Sequence, residues 1–253
     1  MSGVVYLVGA GPGAADLLTL RAARVLSRAD VVFHDALVHP EVVALAQRAQ
    51  IVAVGKRCGA HSTAQRFIHK RLIDAARKHA VVVRLKGGDP LLFGRAQEEL
   101  DALREAGIAC EIVPGVSAAF AASAALGISL TERGVARSVC FATPRSGADH
   151  AAGDWVASVL AADTAALYMA SEHAAEIART LITRGKPPET PVVIVESATL
   201  AVQREHAATL AELAADPPQL TGGPALLLIG PPYRRALAAR VSALQRSAHA
   251  SSK

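Results

Sequence analysis

Five short clusters of glycine, charged and hydroxyl residues occur in the first half of the chain, each directly after an apolar run. They are GAGPG at 9–13, FHD at 33–35, GKR at 55–57, KGGDPLLFGR at 86–95 and PGVSAA at 114–119. Glycines allow close backbone approach to a ligand, carboxylates can exchange protons, and lysine and arginine attract anionic groups. One such cluster would indicate a turn. Five at strand ends predict a ligand-binding crevice.

The first cluster satisfies the relaxed spacing of a dinucleotide-binding turn. Gly9, Gly11 and Ala14 fit G-x-G-x-x-G/A, and Asp35 follows Ala14 by 21 residues, near the place where such folds keep a ribose-binding acid. Pro12 argues against a bound phosphate, because it withdraws one backbone N–H from the turn. From the residues alone, Asp35 therefore has two open roles, ribose binding or proton transfer at a reacting centre.

The fourth cluster is the most informative of the five. Gly87 and Gly88 permit close approach or a positive φ, and Asp89 offers a carboxylate to the crevice. The alternative interpretation is a plain Asp-Pro turn.

Basic residues accompany these clusters. Lys56 and Arg57 are either a solvated charged edge or, with Arg84, Lys86 and Arg95, part of a site for a ligand with several carboxylates or phosphates. The net charge of +5 agrees with an anionic partner, but aromatic residues are only 4 % of the chain. That scarcity disfavours single-stranded nucleic acid as the partner.

Several other classes of protein are disfavoured. The nine histidines and three cysteines have no metal-ligand spacing, so we expect no metal. The longest apolar stretch, at 118–130, is shorter than the roughly 20 residues of a membrane span. No basic segment precedes a hydrophobic stretch at the N-terminus. We therefore expect a cytoplasmic protein without a membrane partner.

The elements that must hold the clusters alternate between strand and helix, which predicts α/β architecture. The expected strands are 4–8, 31–34, 51–54, 81–85 and 109–113, and then 138–142, 165–169, 191–197 and 225–229. The expected helices are 16–28, 40–47, 63–79, 96–106 and 116–126. Residues 203–209 are a further candidate strand, which would form a hairpin with 192–196 and make the second sheet mixed.

Pro114-Gly115 separates two predicted domains. We expect an N-terminal α/β domain at 1–114 with a mainly parallel sheet, and a C-terminal α/β domain at 115–235 with a mixed sheet. Residues 236–253 are predicted to be an exposed or disordered tail, in which one exposed helix starting at Arg234 frays into a Ser/Ala-rich end.

In this order, the clusters resemble the tetrapyrrole methylase family, and most closely its members that methylate uroporphyrinogen III. The resemblance covers roughly residues 3–232 and rests on VYLVGAGPG, VVFHDALV, VGKRCGAHS, VVRLKGGDPLLFGR, IVPGVSAA, YMA and VVIVESAT. It implies C-methylation at C2 and C7 to give precorrin-2, on the way to sirohaem or cobalamin. It also implies S-adenosylmethionine as cofactor in a cleft between the two domains, S-adenosylhomocysteine as product, and a homodimer.

The resemblance also implies roles for individual residues. Asp35 corresponds to the family's proton acceptor and Lys56 to its proton donor, and Arg57, Arg95 and Arg133 would bind the polycarboxylate substrate. The implied cofactor-binding residues are Pro12, Gly87, Gly88, Asp89, Leu92, Ser117, Ala118, Met169 and Ala198.

The chain departs from the family at Glu132–Gly147, where a His-Arg-Asp-Tyr segment and a Thr-Gly-His are common. A methylase for a later corrin precursor, or for another substrate of the family, therefore stays an alternative. A nicotinamide-binding oxidoreductase is a remote one, resting on the first glycine turn alone. No dehydrogenase–chelatase domain accompanies the motifs, so methylation alone is expected.

Overall fold

The computed structural model describes residues 2–54, 63–144 and 154–250. The chain divides into two compact units, Met1–Ala118 and Ala119–Lys253. The sequence placed this division after residue 114, four residues earlier. Residues 114–117 group with the first unit, in which Gly115 N donates a hydrogen bond to Asp89 Oδ2 at 3.0 Å.

The first unit is built on a parallel sheet of five strands. Its strands are β1 Val4–Gly9, β2 Val31–His34, β3 Gln50–Ala53, β4 Val81–Lys86 and β5 Ala109–Val113, and its helices are α1 Leu20–Ser27, α2 Pro40–Val43, α3 Thr63–Ala76 and α4 Ala96–Glu105. The strand order is β3-β2-β4-β1-β5, and all four pairings are parallel. All five carboxyl ends therefore lie at one edge of the sheet.

Apolar runs make the central strands because both faces of this sheet are buried. In β1, Tyr6 and Val8 pack into one core cluster, and Val5 and Leu7 pack into another. Burial of a side chain as large as leucine stabilises a fold by about 1.5–3 kcal/mol. This alternation fixes the register of β1, and with it the position of the glycine turn at its end.

The predicted helix at 16–28 is wrong at its start. A 3₁₀ turn occupies Ala15–Leu17, and α1 begins only at Leu20, after the extended residue Thr19. The Thr19 hydroxyl accepts a hydrogen bond from Ala22 N at 3.1 Å and caps the helix. The first glycine turn is consequently not followed directly by an α-helix.

The second unit contains a mixed sheet of five strands. They are β6 Val139–Ala142, β7 Thr164–Tyr168, β8 Pro191–Glu196, β9 Arg204–Thr209 and β10 Ala225–Ile229. The helices that follow α4 are α5 Ala118–Leu126, α6 Trp155–Ala161, α7 Ala174–Thr183, α8 Leu210–Ala215 and α9 Arg234–Ala250. In the order β6-β7-β10-β8-β9, only β6 and β7 pair in parallel. The predicted β8–β9 hairpin is confirmed.

The two predicted α/β sheets, one parallel and one mixed, are confirmed. Residues 236–250, predicted as a tail, belong to α9. Arg240 of this helix donates to Ala207 O and to Glu212 Oε2, both at 3.0 Å. Among the helices in the described part of the chain, none combines the length and the apolar character that crossing a bilayer requires.

Candidate active site

The loops after β1 and β4 are joined by backbone hydrogen bonds. Ala10 N donates to Lys86 O at 2.7 Å, Gly11 N donates to Gly88 O at 3.2 Å, and Gly88 N donates to Gly11 O at 2.7 Å. Gly11 and Gly88 thus form an antiparallel bridge. The N–H of Gly11 is therefore already bonded within the protein, and Pro12 has none. Neither Gly11 nor Pro12 therefore has a backbone donor left for a pyrophosphate.

The loop after β5 joins the same cluster through close backbone contact. A Cβ on Gly115 would lie 2.4 Å from Gly88 O and 2.8 Å from Gly9 Cα, and one on Gly9 would lie 2.6 Å from Gly115 Cα. Contacts below 3.0 Å to backbone atoms require the loops to move. Glycine at these two positions is what allows the three strand ends to meet.

Asp89 holds these loops in place. Its Oδ1 accepts a hydrogen bond from Leu91 N at 2.8 Å, and its Oδ2 accepts one from Gly115 N at 3.0 Å. The first bond makes the Asp-Pro turn that the sequence allowed, and the second ties the β4 loop to the β5 loop. Both interpretations of KGGDP are thus compatible, because one carboxylate makes the turn and also shapes the crevice.

Asp35 follows β2 at the same edge of the sheet. Asp35 N donates to Leu85 O at 3.2 Å, and the carboxylate forms an ion pair with the guanidinium of Arg84. The Asp35 side chain is 29 % exposed, whereas that of Arg84 is 3 % exposed. The partly exposed carboxylate of Asp35 is therefore held by the buried guanidinium of Arg84.

Glu99, which the sequence analysis did not single out, lies beneath this ion pair. Its Oε1 accepts hydrogen bonds from Arg84 Nε at 3.1 Å, Lys86 Nζ at 3.0 Å and Gln65 Nε2 at 3.3 Å. Arg84, Lys86 and Glu99 are all buried. The sequence of α4 does indicate that Glu99 is buried, because Ala96, Glu99 and Leu103 have the spacing of one buried helix face.

Burial favours a lower pKa for both cations, but the net shift is upward for Arg84 and downward for Lys86. For Arg84, burial alone would lower the pKa, but the ion pairs with Asp35 and Glu99 outweigh it, and the pKa is raised. For Lys86, burial and then repulsion by Arg84 lower the pKa, despite the attraction of Glu99. Arg84 is thus the permanent cation of the cluster.

The rest of the β4 loop and the start of α5 complete this part of the first unit. Phe93 and Arg95 both have φ of 54°, and non-glycine residues with such values concentrate at functional sites. Arg95 is exposed and forms a two-bond ion pair with Glu98, with both contacts at 2.7 Å. Ser117 is buried. The remaining predicted residues here, Gly87, Leu92 and Ala118, are partly buried.

Two predicted residues lie in the second unit, at one edge of its sheet. Met169 follows β7 with φ of 54°, and Ala198 follows β8 between Ser197 and Thr199, whose φ values are 52° and 72°. Both β7 and β8 run antiparallel to β10, so their carboxyl ends lie on the same side. The strained backbone beside both residues marks this edge as a second candidate region.

Three further predicted residues are Lys56, Arg57 and Arg133. Lys56 and Arg57 lie outside the described residues. Arg133 is exposed in the turn between Glu132 and Ala136, and its side chain forms no hydrogen bond or ion pair with the described residues. Glu132 itself accepts hydrogen bonds from Arg234 at 2.9 Å and Arg235 at 2.8 Å. In the described ranges, no three His, Cys, Asp or Glu side chains group as a metal site would require.

The family model for tetrapyrrole (corrin/porphyrin) methylases matches residues 4–214. The chain belongs to the tetrapyrrole methylase family. The match includes all five sequence clusters, both Asp35 and Asp89, and the segments around Met169 and Ala198. The dinucleotide interpretation of the first turn is therefore wrong, and the hydrogen bond from the N–H of Gly11 to Gly88 agrees with this.

Individual relatives of this tetrapyrrole methylase are known. A uroporphyrinogen-III C-methyltransferase from Pseudomonas aeruginosa is 45% identical over 231 residues, which are 91% of this chain and 94% of that protein. Siroheme synthase 1 from Klebsiella pneumoniae is 46% identical over 233 residues. The match covers 90% of this chain but 49% of the synthase, so the chain spans about half the length of that relative.

A solved structure shares the fold of this tetrapyrrole methylase. The uroporphyrin-III C-methyltransferase of Thermus thermophilus, in complex with S-adenosylhomocysteine, superposes with a TM-score of 0.81 at 38% identity. The superposition covers 92% of this chain and 99% of that structure.

Proposed function

We propose that this protein transfers methyl groups from S-adenosylmethionine to C2 and C7 of uroporphyrinogen III, giving precorrin-2 for sirohaem or cobalamin synthesis. The observation that carries the proposal is the Asp35 carboxylate, partly exposed and paired with buried Arg84 beside the joined β1 and β4 loops. The relative from Pseudomonas aeruginosa, matched over 94% of its length, bears the corresponding name.

The residues of the first unit suit a cofactor without a pyrophosphate. The proposed binding residues there are Pro12, Gly87, Gly88, Asp89, Leu92, Ser117 and Ala118. By the resemblance to the family, Met169 and Ala198 are proposed as cofactor-binding residues as well. Gly11 and Gly88 satisfy each other's backbone groups, so the turn offers a neutral surface. Asp89 keeps its carboxylate bonded to the backbone and fixes the shape of that surface. The cofactor supplies an electrophilic methyl group on a positively charged sulfur.

Asp35 is the proposed proton acceptor. A ring carbon of the porphyrinogen would form a bond to the methyl carbon while the bond between sulfur and that methyl group breaks. The proton that the ring carbon then loses would pass to the Asp35 carboxylate. Arg84 keeps that carboxylate oriented. By the resemblance, Lys56 would be the proton donor.

Arginines are the proposed contacts for the substrate's carboxylates, namely Arg57, Arg95 and Arg133. Arg95 already pairs with Glu98 at an exposed position. An exposed pair is worth only about 0–1 kcal/mol, so a substrate carboxylate can replace Glu98 at small cost. The net charge of +5 also favours a polyanionic substrate.

The decisive experiment is a methyl-transfer assay. Purified protein is incubated with S-adenosylmethionine and enzymatically generated uroporphyrinogen III, and incorporation is followed by mass spectrometry. We expect two methyl groups per macrocycle. Binding of S-adenosylhomocysteine without transfer would favour a methylase for a later corrin precursor or another substrate of the family, and thermal stabilisation by NAD(H) alone would contradict the proposal.

Asp89→Asn should weaken binding of S-adenosylhomocysteine about tenfold. An amide has only one acceptor oxygen, so either Leu91 N or Gly115 N loses its partner. A hydrogen bond to a charged group contributes about 1.5–3 kcal/mol, which corresponds to a tenfold change or more. Isothermal titration calorimetry measures the affinity, and Asp101→Asn on the outer face of α4 is the control. Unchanged affinity would remove Asp89 from the cofactor site.

We also propose that the protein acts in the cytoplasm as a homodimer, with no nucleic-acid or membrane partner. The dimer rests on the resemblance to the family, and the location rests on the sequence patterns described above. Light scattering coupled to size-exclusion chromatography tests the dimer, and a monomeric mass over the working concentration range would contradict it.

A further inference from the structure

Glu99 is a buried carboxylate with an unusual concentration of donors. Three side chains from two other elements, Arg84 and Lys86 of β4 and Gln65 of α3, donate to its Oε1. Glu99 is fully buried, and its Oε2 has no hydrogen-bond partner among the described residues. Desolvating a carboxylate is costly, so its burial here must be offset by the ion pairs and hydrogen bonds that it forms.

Glu99 determines the direction in which Arg84 points. Nε of Arg84 donates to Glu99, Nη1 donates to Leu85 O at 3.3 Å, and Nη2 donates to Asp35. The guanidinium is planar with donors in a fixed fork. Once Nε and Nη1 are engaged inside the fold, the position of Nη2 is fixed, and with it the oxygen of Asp35 that it binds.

Glu99 also balances the charge beneath Asp35. The cluster contains two cations, Arg84 and Lys86, and two carboxylates, Asp35 and Glu99. Lys86 donates to Glu99 and forms no ion pair with Asp35 in the structure. Glu99 therefore keeps the second cation engaged within the buried part of the cluster. Among the described residues, this leaves Arg84 as the sole ion-pair partner of Asp35.

We propose that Glu99 is a positioning residue of the methyl-transfer reaction, which aligns Asp35 for proton acceptance by anchoring Arg84. This inference rests on the proposed function, in which Asp35 is the base. Glu99 itself is buried and touches neither substrate nor cofactor. Its effect on the reaction passes through Arg84 and is confined to kcat.

Two variants separate positioning from simple structural support. Glu99→Gln retains an acceptor oxygen for Arg84 Nε but leaves two cations against one carboxylate. The double variant K86M/E99L removes one charge of each sign, so that apolar side chains replace a buried ion pair, which is often tolerated without loss of stability. It also leaves Arg84 Nε without its acceptor.

If Glu99 is a positioning residue, the variant with the lower melting temperature, Glu99→Gln, should be the one with the smaller loss of kcat. Glu99→Gln should have the lower melting temperature of the two and lose about three- to tenfold in kcat. K86M/E99L should melt closer to the wild type than Glu99→Gln does, because it leaves an unpaired N–H rather than an unpaired charge. It should nevertheless lose about 10- to 100-fold in kcat, because a displaced catalytic group costs about that much. KM for S-adenosylmethionine and Kd for S-adenosylhomocysteine should stay within twofold, and kcat is expressed per cofactor site titrated.

Two further variants serve as controls. Lys86→Met alone keeps the Arg84–Glu99 contact and should lose markedly less kcat than K86M/E99L. Glu105→Gln makes the same chemical change at an exposed position of α4 and should change nothing. Crystal structures of the wild type and of K86M/E99L should show the Asp35–Arg84 ion pair in the first and its loss in the second, which requires no activity.

The failure of this inference is distinguishable from that of the proposed function. Wild-type protein that transfers no methyl group would contradict the proposed function, whatever Glu99 does. Active wild type with kcat that follows the melting temperature across the variants would make Glu99 structural only. An intact Asp35–Arg84 pair in K86M/E99L, or Lys86→Met as slow as the double variant, would equally overturn the inference.

Discussion

Asp35→Asn is expected to lower kcat for methyl transfer by about 10²- to 10⁴-fold, the usual contribution of a general base. The amide is nearly isosteric and its oxygen can still accept from Arg84, so the local geometry should survive. An amide cannot take up the proton that the ring loses. Single-turnover transfer of labelled methyl groups to uroporphyrinogen III measures the effect directly, and Kd for S-adenosylhomocysteine should stay within twofold.

The same variant decides between the two roles that the sequence left open for Asp35. A large loss of cofactor affinity with an unchanged melting temperature would assign Asp35 to the cofactor ribose. Asp101→Asn, a half-exposed position whose carboxylate bonds to Gln97 and Arg104, is the matched control and should be silent in both assays.

Gly115→Ala is expected to abolish cofactor binding, raising Kd for S-adenosylhomocysteine more than 100-fold. The added methyl group would lie 2.4 Å from Gly88 O and 2.8 Å from Gly9 Cα, so the ends of β1, β4 and β5 must separate. Overpacking of this kind costs about 1–3 kcal/mol in the free energy of unfolding. The loss in affinity should be larger, because the displaced atoms belong to the proposed cofactor surface.

Gly107→Ala separates loss of stability from loss of the site. Gly107 has φ of 69° and open space around its would-be Cβ, so alanine there strains the backbone without touching the three loops. It should lower the free energy of unfolding by about 1–2 kcal/mol and leave Kd unchanged. Urea titration and calorimetry give both quantities, and equal losses of affinity in the two variants would contradict the role assigned to Gly115.

The sequence was sufficient for the sheets because hydrophobic periodicity is a local property. Continuous apolar runs predicted the strands of the parallel sheet. The further candidate strand at 203–209 was confirmed as β9, which forms a hairpin with β8. Where a polar contact overrode periodicity, the prediction was wrong. Thr19 caps α1, and residues 16–19, although amphipathic, lie outside the α-helix.

The sequence also indicated which residues would share one edge, since parallel strands bring their carboxyl ends together. Asp35 and Asp89 were identified on this basis. In the structure Asp35 N bonds to Leu85 O of β4, and the loop of Asp89 is joined to the loop after β1. Glu99 was missed. Its spacing within α4 showed that it is buried, but nothing local could reveal that Arg84, fifteen residues earlier, would donate to it.

The sequence by itself determined the two α/β sheets, the strand ends that carry polar residues, and the family. Those properties depend on side-chain periodicity and on short motifs, which are written in consecutive residues. Only the tertiary structure decided that Gly11 bonds to Gly88, that Asp89 ties two loops, and that Asp35, Arg84 and Glu99 form one connected cluster. Such contacts join residues distant in sequence, and their atomic distances exist only after the strands have paired and the helices have packed.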